Sequence, residues 1–445
     1  MQIGEVIRRC AFDELDAVQG GRLKKLKAVN RQEIIEGVTE EYQERRTKAI
    51  LAYASENCPF YRNIPKGASL SDFPVMSKQD FLREFDGILS DEFREEKEKL
   101  HKYSTSGSTG TPFTVYADDL KMDHVNMNYA AFMELNGYRL GMKRAEFRAW
   151  IPGKNTISKW HSFRNNLYMF EISNMGDDAL YGICEDIRKM KIQVLVMYST
   201  ALTALTSFIK RKNIDLSGWS VEMLFTMGEA LPEETRKAAK EIFHLDPVRS
   251  YGNNENGFMG MTLPGRDDFV IDLFNYRLEI LKMDSDEAAA PGELGRIVLT
   301  DYYNRAFPMI RYDIGDTGIA SFTKDENGRL HASLTALYGR RASMLYNTKG
   351  EPLSVHVFMN LLLNFEGRVR QAKCIQWDKK EYEVEVNDVP GTVTDEEIKT
   401  AYAKYLGSDA DIVITHVDEI PILASGKRQV SENRTGEKRE REIHA

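Results

Sequence analysis

Cysteine is scarce in this chain: four among 445 residues, at Cys10, Cys58, Cys184 and Cys374. They stand far apart and form no Cys-x-x-Cys pair, and no histidines cluster at ligand spacing, so the usual structural zinc frames are excluded. Scattered cysteines suit a reducing compartment, where each serves as a small buried side chain. Also missing is a long apolar run of the ~20 residues that a membrane-spanning helix needs. No apolar core of a secretory signal follows the N-terminus, so the expected location is the cytoplasm, with no membrane partner. Excess positive charge is absent too: 60 Lys and Arg against 68 Asp and Glu leave a net charge of -8. That balance argues against a nucleic-acid partner.

What is present is a globular composition, 42% hydrophobic and 29% charged, long enough for two or three domains. One stretch stands out. Ser104 to Thr111 holds six hydroxyl side chains and two glycines in a row, between a charged helical segment and the strand-like run Phe113 to Tyr116. Such a loop offers backbone N–H groups and hydroxyl donors with little bulk, as needed to wrap phosphate oxygens. It is not the common mononucleotide loop, because no Lys-Ser or Lys-Thr follows Gly110. The plain alternative is a flexible Ser/Gly linker.

Residues 1 to about 60 read as helical, ending before Pro59. Ser77 to Asp80 resembles a helix N-cap with an acidic first turn, and Asp118 to Asn136 reads as a helix. The middle is a series of strand–loop–helix units. Lys191 to Met197 leads through Tyr198 into a helix near Ala201. Val221 to Met227 leads through Gly228 and Glu229 into a helix that Pro232 opens. Asp246 to Tyr251 leads into Gly252–Gly257. This alternation implies a parallel sheet whose carboxyl edge gathers Tyr198, Gly228 and Tyr251 to Glu255, where open α/β sheets bind ligands. From about Asp267 to Thr335, short β-like runs read as an antiparallel subdomain. From Gly339 a small α+β pattern follows, with its last residues, from about Ser431, expected to fray. The fold class is therefore α/β: a large N-terminal domain over 1–338 with parallel βαβ sheets and an antiparallel subdomain, and a small α+β domain over 339–445.

Further clusters accompany the Thr105–Pro112 loop in chain order: Tyr251-Gly-Asn-Asn-Glu255, Pro308-Met-Ile-Arg-Tyr-Asp-Ile-Gly-Asp316, Tyr338-Gly-Arg340 and Ala424-Ser-Gly-Lys-Arg428. In order and rough spacing they resemble the adenylate-forming superfamily, which includes acyl-CoA synthetases, luciferase-like enzymes and peptide-synthetase adenylation domains. Asn57-Cys-Pro-Phe-Tyr-Arg62 and Phe73-Pro-Val-Met-Ser-Lys78 resemble the phenylacetate–CoA ligase branch and its relatives from capsule-polysaccharide loci. The resemblance covers nearly the whole chain.

The resemblance implies an AMP-forming acid ligase, with ATP, Mg²⁺ and possibly CoA as cofactors. A small carboxylic acid becomes an acyl-adenylate with release of pyrophosphate, and the acyl group passes to CoA. Transfer to an amine, a hydroxyl or a carrier-protein thiol is the alternative, and a non-catalytic nucleotide-binding scaffold is a third reading. By the same resemblance, Thr105, Ser106, Gly107, Ser108, Thr109 and Gly110 hold the phosphates. Glu255 is the Mg²⁺ ligand, a hard oxygen donor for a hard cation, with Tyr251, Gly252 and Asn254 around the nucleotide. Gly228 and Glu229 either pack against the adenine, or Glu229 is an acid favoured at a helix N-terminus. Asp316 takes the ribose hydroxyls and Arg340 reaches ribose and phosphate. Arg311 reads instead as a structural ion-pair partner of Asp313. Lys427 is the catalytic lysine, a cation that meets developing charge when the small domain closes. Tyr129, Trp150, Tyr198, Met227 and Phe258 are candidates for the acid pocket, or ordinary core.

Two departures from the family pattern stand out. The family's Lys after the loop proline is Phe113 here, and its hinge acid is missing from Gly339-Arg-Arg-Ala-Ser343. With no cysteine between Cys184 and Cys374, no zinc is expected.

Overall fold

The computed structural model describes residues 3–105, 113–148, 158–172, 176–340, 345–350, 352–353, 357–358, 361–362, 365, 368–421 and 429–436. The helices Ile3–Val18, Arg22–Glu36 and Glu40–Asn57 come first. Thr39 caps the third, its hydroxyl accepting the Tyr42 amide, and Glu40 and Glu41 complement the helix dipole. Gly37, between the second and third helices, has φ +77° and lies so close to the large sheet that a Cβ would stand 2.5 Å from the Leu330 carbonyl oxygen. Ser77 and Asp80 form a capping box at the next helix, Lys78–Arg83, as the sequence implied.

The strands follow in chain order as β1 (Met76–Ser77), β2 (His101–Thr105), β3 (Phe113–Ala117), β4 (Arg144–Arg148), β5 (Leu167–Glu171), β6 (Val194–Tyr198), β7 (Met223–Met227), β8 (Val248–Asn253) and β9 (Gly257–Met261). Then come β10 (Phe269–Ile271), β11 (Tyr276–Leu281), β12 (Gly295–Asp301), β13 (Tyr312–Lys324) and β14 (Leu330–Arg340). A 12-stranded sheet runs β11-β12-β13-β14-β10-β9-β8-β7-β6-β4-β5, with β1 beside β13. From β5 to β8 all pairings are parallel; from β8 to β11 they are antiparallel. β6 and β7 are nearly continuous apolar runs because both faces are covered. Leu195, Met197 and Leu224 pack into one cluster with Leu202, Leu205 and Ile187 of the flanking helices. Val194, Val196 and Phe225 pack into another with Ala131 and Phe132 of the helix Asp119–Leu135.

β2 and β3 form a separate antiparallel hairpin, so the segment before the hydroxyl-rich loop is a strand where the sequence suggested a charged helix. β4 and β5 were also not read from sequence. Each is short, and β4, Arg-Ala-Glu-Phe-Arg, places charge on every second residue.

The shorter strands β15 (Leu345–Tyr346) and β16 (Pro352–Leu353) pair with each other. β17 (Val369–Gln376), β18 (Glu381–Asp388), β19 (Asp411–His416) and β20 (Ser431–Asn433) build a second sheet in the order β19-β18-β17-β20. β20 corrects the expectation of fraying from Ser431: it pairs parallel with β17, Cys374 facing Ser431 in register. Ladder hydrogen bonds on a sheet edge hold a short polar segment that has no apolar period of its own. This second sheet and the helix Asp395–Leu406 share an apolar cluster drawn from residue 345 onward, including Phe358, Tyr382, Val384 and Tyr402. Cys58, Cys184 and Cys374 are buried and Cys10 is exposed. Among the described residues no helix is long and apolar enough to cross a membrane.

Candidate active site

The parallel pairing brings the ends of β6 and β7 side by side, with Tyr198 opposite Met227. Gly228 follows in the left-handed region, φ +73°. Glu229 then turns back: its Oε2 accepts the Thr200 amide at 3.0 Å and the Thr200 hydroxyl at 2.9 Å. Glu229 is thus an acid at a helix N-terminus, but the helix is its neighbour, Ser199–Lys212, and not Glu233–Phe243, which follows it in sequence.

β8 ends in the turn Asn254–Asn256. A Cβ on Gly252 would lie 2.4 Å from the Gly257 carbonyl oxygen, so this hairpin closes only around a glycine. The Asn253 side chain accepts the Asn256 amide at 2.7 Å. Asn254 faces solvent. Glu255 is buried, 7% exposed, and accepts from the Tyr312 hydroxyl at 3.3 Å. Behind the turn, Tyr276 donates to the Asn256 carbonyl at 2.6 Å and accepts from Lys121 Nζ at 3.1 Å. Lys121 in turn meets Asp301 at 2.5 Å, with the two side chains 3% and 0% exposed.

Tyr251, 65 residues away in sequence, donates to Asp316 Oδ2 at 3.1 Å. Burial first, and then the adjacent Asp316 carboxylate, hold the Tyr251 hydroxyl pKa well above its usual value. Asp316 stands opposite Arg340 in the β13–β14 register, which places that backbone at the same spot; the Arg340 side chain lies outside the described residues. Nearby, the expected partnership of Arg311 is corrected. Its guanidinium pairs with Glu279 at 3.1 Å and donates to the Phe73 carbonyl. Asp313 pairs instead with Arg296 at 2.9 Å. Arg311 lies just before β13 with a left-handed φ of 46°, outside the alternation that places Asp313, and each residue finds its ion on another segment.

The hydroxyl-rich loop is anchored at both ends, since Thr105 and Phe113 face each other in the β2–β3 register. Ser106, Gly107, Ser108, Thr109 and Gly110 lie outside the described residues, as do the Thr105 side chain, Trp150 and Lys427. Phe113 is fully buried and packs near Phe81 and Tyr312, both ring distances being 6.4 Å. It points into the core, so this position has an apolar task here.

Three of the other pocket candidates share one apolar cluster, as ordinary core would. Tyr129 stacks on Phe258 at 4.7 Å and meets Phe225 edge-on at 6.0 Å, and Met227 packs in the same cluster. Burial pushes the Tyr129 hydroxyl up to about 12. Tyr198 accepts from Arg148 Nη1 at 3.5 Å. Arg144, Glu146 and Arg148 at this place were missed by the sequence reading; the signal that could have found them is their alternation with apolar Ala145 and Phe147.

No protein-family model matches the chain. Protein CapK of Staphylococcus aureus is 23% identical over 413 residues, spanning 88% of this chain and 89% of CapK. Phenylacetate-coenzyme A ligase of Thermus thermophilus is 25% identical over 323 residues, 68% of this chain and 70% of that one. The crystal structure of 2-hydroxyisobutyryl-CoA ligase in the postadenylation state, in complex with R3-HIB-AMP, matches with a TM-score of 0.67 at 16% identity, covering 88% of this chain and 89% of its own. The fold is that of the adenylate-forming enzymes. The resemblance carried by the motifs holds for the superfamily and for the phenylacetate–CoA ligase and capsule-locus branch.

Proposed function

We propose that this chain is an AMP-forming acid ligase that converts a carboxylic acid and ATP into an acyl-adenylate and pyrophosphate, then transfers the acyl group to CoA. The observation that supports it most is the Tyr251–Asp316 hydrogen bond beside the Glu255 turn. Motifs remote in sequence meet there at the carboxyl edge of a parallel block, the usual ligand edge of such sheets.

In this reading Asp316 accepts the ribose hydroxyls, with Tyr251 fixing the orientation of its carboxylate. Arg340 reaches the ribose and phosphate from the adjoining strand. Ser106 to Gly110 hold the β- and γ-phosphates by backbone N–H groups and hydroxyls, on a loop whose two ends the β2–β3 pairing clamps together. Gly228, with its left-handed backbone, lets the chain approach the adenine. The buried Glu255, with a hard carboxylate oxygen in a tightly held turn, fits a Mg²⁺ that keeps most of its waters. Bound with ATP, that ion would neutralise charge on the phosphates. Residues 339–445 act as a mobile small domain that brings Lys427 onto the reacting carboxylate and α-phosphate and excludes water. Tyr129, Tyr198, Met227 and Phe258 enclose the acyl group.

The test is pyrophosphate exchange into ATP over a carboxylic-acid library, repeated as AMP release with and without CoA. Acid-dependent exchange and CoA-dependent AMP release are expected. ATP binding without exchange for any acid would favour a nucleotide-binding scaffold. A second reading keeps adenylation but hands the acyl group to an amine, a hydroxyl or a carrier-protein thiol. It is favoured by the missing acid in Gly339-Arg-Arg-Ala-Ser343, the segment on which rotation for the second half-reaction would depend.

A further inference from the structure

The turn that carries Glu255 is held from behind, through its backbone. The Asn256 amide donates to the Asn253 side chain at 2.7 Å, and the Asn256 carbonyl accepts from the Tyr276 hydroxyl at 2.6 Å. The Asn256 side chain adds little. Its Nδ2 reaches Met309 Sδ at 3.8 Å, and its Oδ1 is buried without a hydrogen-bond partner.

Chemistry fixes the direction of the Tyr276 bond. An ammonium carries donors and no acceptor, so the Tyr276 hydroxyl accepts from Lys121 Nζ, 3.1 Å away. Its one proton is then left for the Asn256 carbonyl. Lys121 is held in turn by Asp301 at 2.5 Å and lies 4.7 Å from the centre of the Tyr276 ring. The result is a chain of one polarity, from Asp301 through Lys121 and Tyr276 to the turn.

The same chain reaches the hairpin of the hydroxyl-rich loop. Lys121 stands in the first turn of the helix Asp119–Leu135, which follows β3 through Asp118. Asp118 accepts the Lys121 amide at 2.8 Å and the amides of Arg305 and Ala306 at 2.9 and 3.1 Å. Asp301 Oδ1 accepts the amides of Tyr303 and Asn304 at 3.0 and 3.3 Å. The Asn304 side chain donates to the Tyr116 carbonyl of β3 at 2.9 Å. One buried body of polar contacts thus joins the strand that leaves the loop to the turn that carries Glu255. An ion pair this deep is costly to desolvate and a weak source of stability, which leaves position as what it supplies.

Resting on the acid-ligase reading, we infer that Tyr276 and Lys121 are positioning residues for Glu255. They touch neither substrate nor metal. They set where the Mg²⁺-binding carboxylate stands relative to the phosphate-holding loop. Mg²⁺ demands near-ideal octahedral geometry with ligands at ~2.0–2.1 Å, so a turn that drifts would hold it less well.

The experiment is calorimetric ATP binding to the full chain with Mg²⁺ and with EDTA, alongside pyrophosphate exchange at rising Mg²⁺. Tyr276→Phe should reduce the gain in ATP affinity that Mg²⁺ confers by roughly 3–10-fold, the range for one lost hydrogen bond, with affinity in EDTA unchanged. Its exchange should need more Mg²⁺ for half its maximal rate and recover toward wild type at excess Mg²⁺. Tyr302→Phe is the control: this tyrosine is also buried, its hydroxyl bonds Gln43 Oε1 at 3.0 Å, and its loss should leave the Mg²⁺ dependence unchanged. Lys121→Met combined with Asp301→Asn removes the ion pair without leaving one charge buried alone. It should shift the Mg²⁺ dependence in the same direction, and it decides the question if Tyr276→Phe does not fold. Thermal melting reports the folding of each variant. A Tyr276→Phe variant that weakens ATP binding equally with and without Mg²⁺, or not at all, overturns the inference, as does an equal Mg²⁺ effect in Tyr302→Phe. Wild-type ATP binding that Mg²⁺ does not alter removes Glu255 from metal binding and the positioning role with it. Absence of exchange with every acid, with ATP binding intact, overturns the ligase reading itself and is distinguishable from these results.

Discussion

Behind the Glu255 turn the large sheet buries charge and polarity. Lys121 and Asp301 are almost wholly excluded from solvent, Tyr276 links that pair to the Asn256 carbonyl, and Asp272, fully buried, has its carboxyl pushed up to about 6 by burial. The four-stranded sheet and its helix bury Tyr382, Val384, Ile398 and Tyr402; apart from Lys373, which meets Glu432 with 12% of its side chain exposed, their ionic contacts among the described residues lie nearer the surface. His416 there bridges Asp388 and Asp395 at 2.8 and 2.9 Å, and Lys380 meets Asp409 at 2.5 Å. The contrast separates two uses of polar groups. In a low-dielectric interior, a network of an ion pair and hydrogen bonds fixes backbone position at the cost of desolvation. At the surface the same pairs are screened and contribute little.

The sharpest way to break this contrast is Lys121→Met. It leaves Asp301 buried without its cation and should cost ~3–5 kcal/mol in urea unfolding. A loss below ~1 kcal/mol would mean that water reaches the pair and that the two regions do not differ as described. Lys427→Ala tests the C-terminal region from the other side. Acyl-adenylate formation should fall roughly 10²–10³-fold, the range for one lost charge-stabilising donor, with melting temperature and ATP affinity unchanged. Normal adenylation in that variant would remove the lysine loop from the mechanism. Loss of the second half-reaction as well, assayed from supplied acyl-adenylate, would point to a small domain that never rotates.

Tyr251→Phe removes a single buried hydrogen bond at the candidate ribose site. It should lower stability by ~0.5–1.5 kcal/mol and raise KM for ATP, while kcat at saturating ATP changes less. An unchanged KM would separate Asp316 from nucleotide binding. The smallest effect belongs to His416. Its pKa is raised by the hydrogen bonds it donates to Asp395 and then Asp388, so its stabilisation is fully present below about pH 6.5 and is lost as pH rises through the higher folded value. The side chain is half exposed, so screening limits this to a few tenths of a kcal/mol at most. His416→Ala should flatten that slope in melts taken from acid to alkaline pH. A steeper slope in the variant would contradict the assignment.

Local signals in the sequence were sufficient for β6, β7 and β8 of the parallel block and for their turns. The unbroken apolar runs of β6 and β7, the capping box of Ser77 and Asp80, and the glycine of the β8–β9 turn each act within a few residues, through backbone sterics and period. Those same signals placed Tyr198, Gly228 and Glu255 at one edge. They could not show that Phe113 faces the core, because a five-residue strand beside a glycine-rich loop does not reveal which face is covered.

What only the tertiary structure decided are the pairings of distant segments. Glu229 caps a helix that starts 30 residues before it in the chain. Arg311 finds Glu279 rather than Asp313. β4 inserts between β5 and β6, which sets three charged residues of an unremarkable segment on one face of the large sheet. By itself, the sequence determined the first helices, the capping box and the apolar strands β6 to β8, because those follow from local geometry and hydrophobic period. Which ions meet, and which face of β4 carries its charges, depend on the register and order of strands, and these are set by burying whole faces against one another.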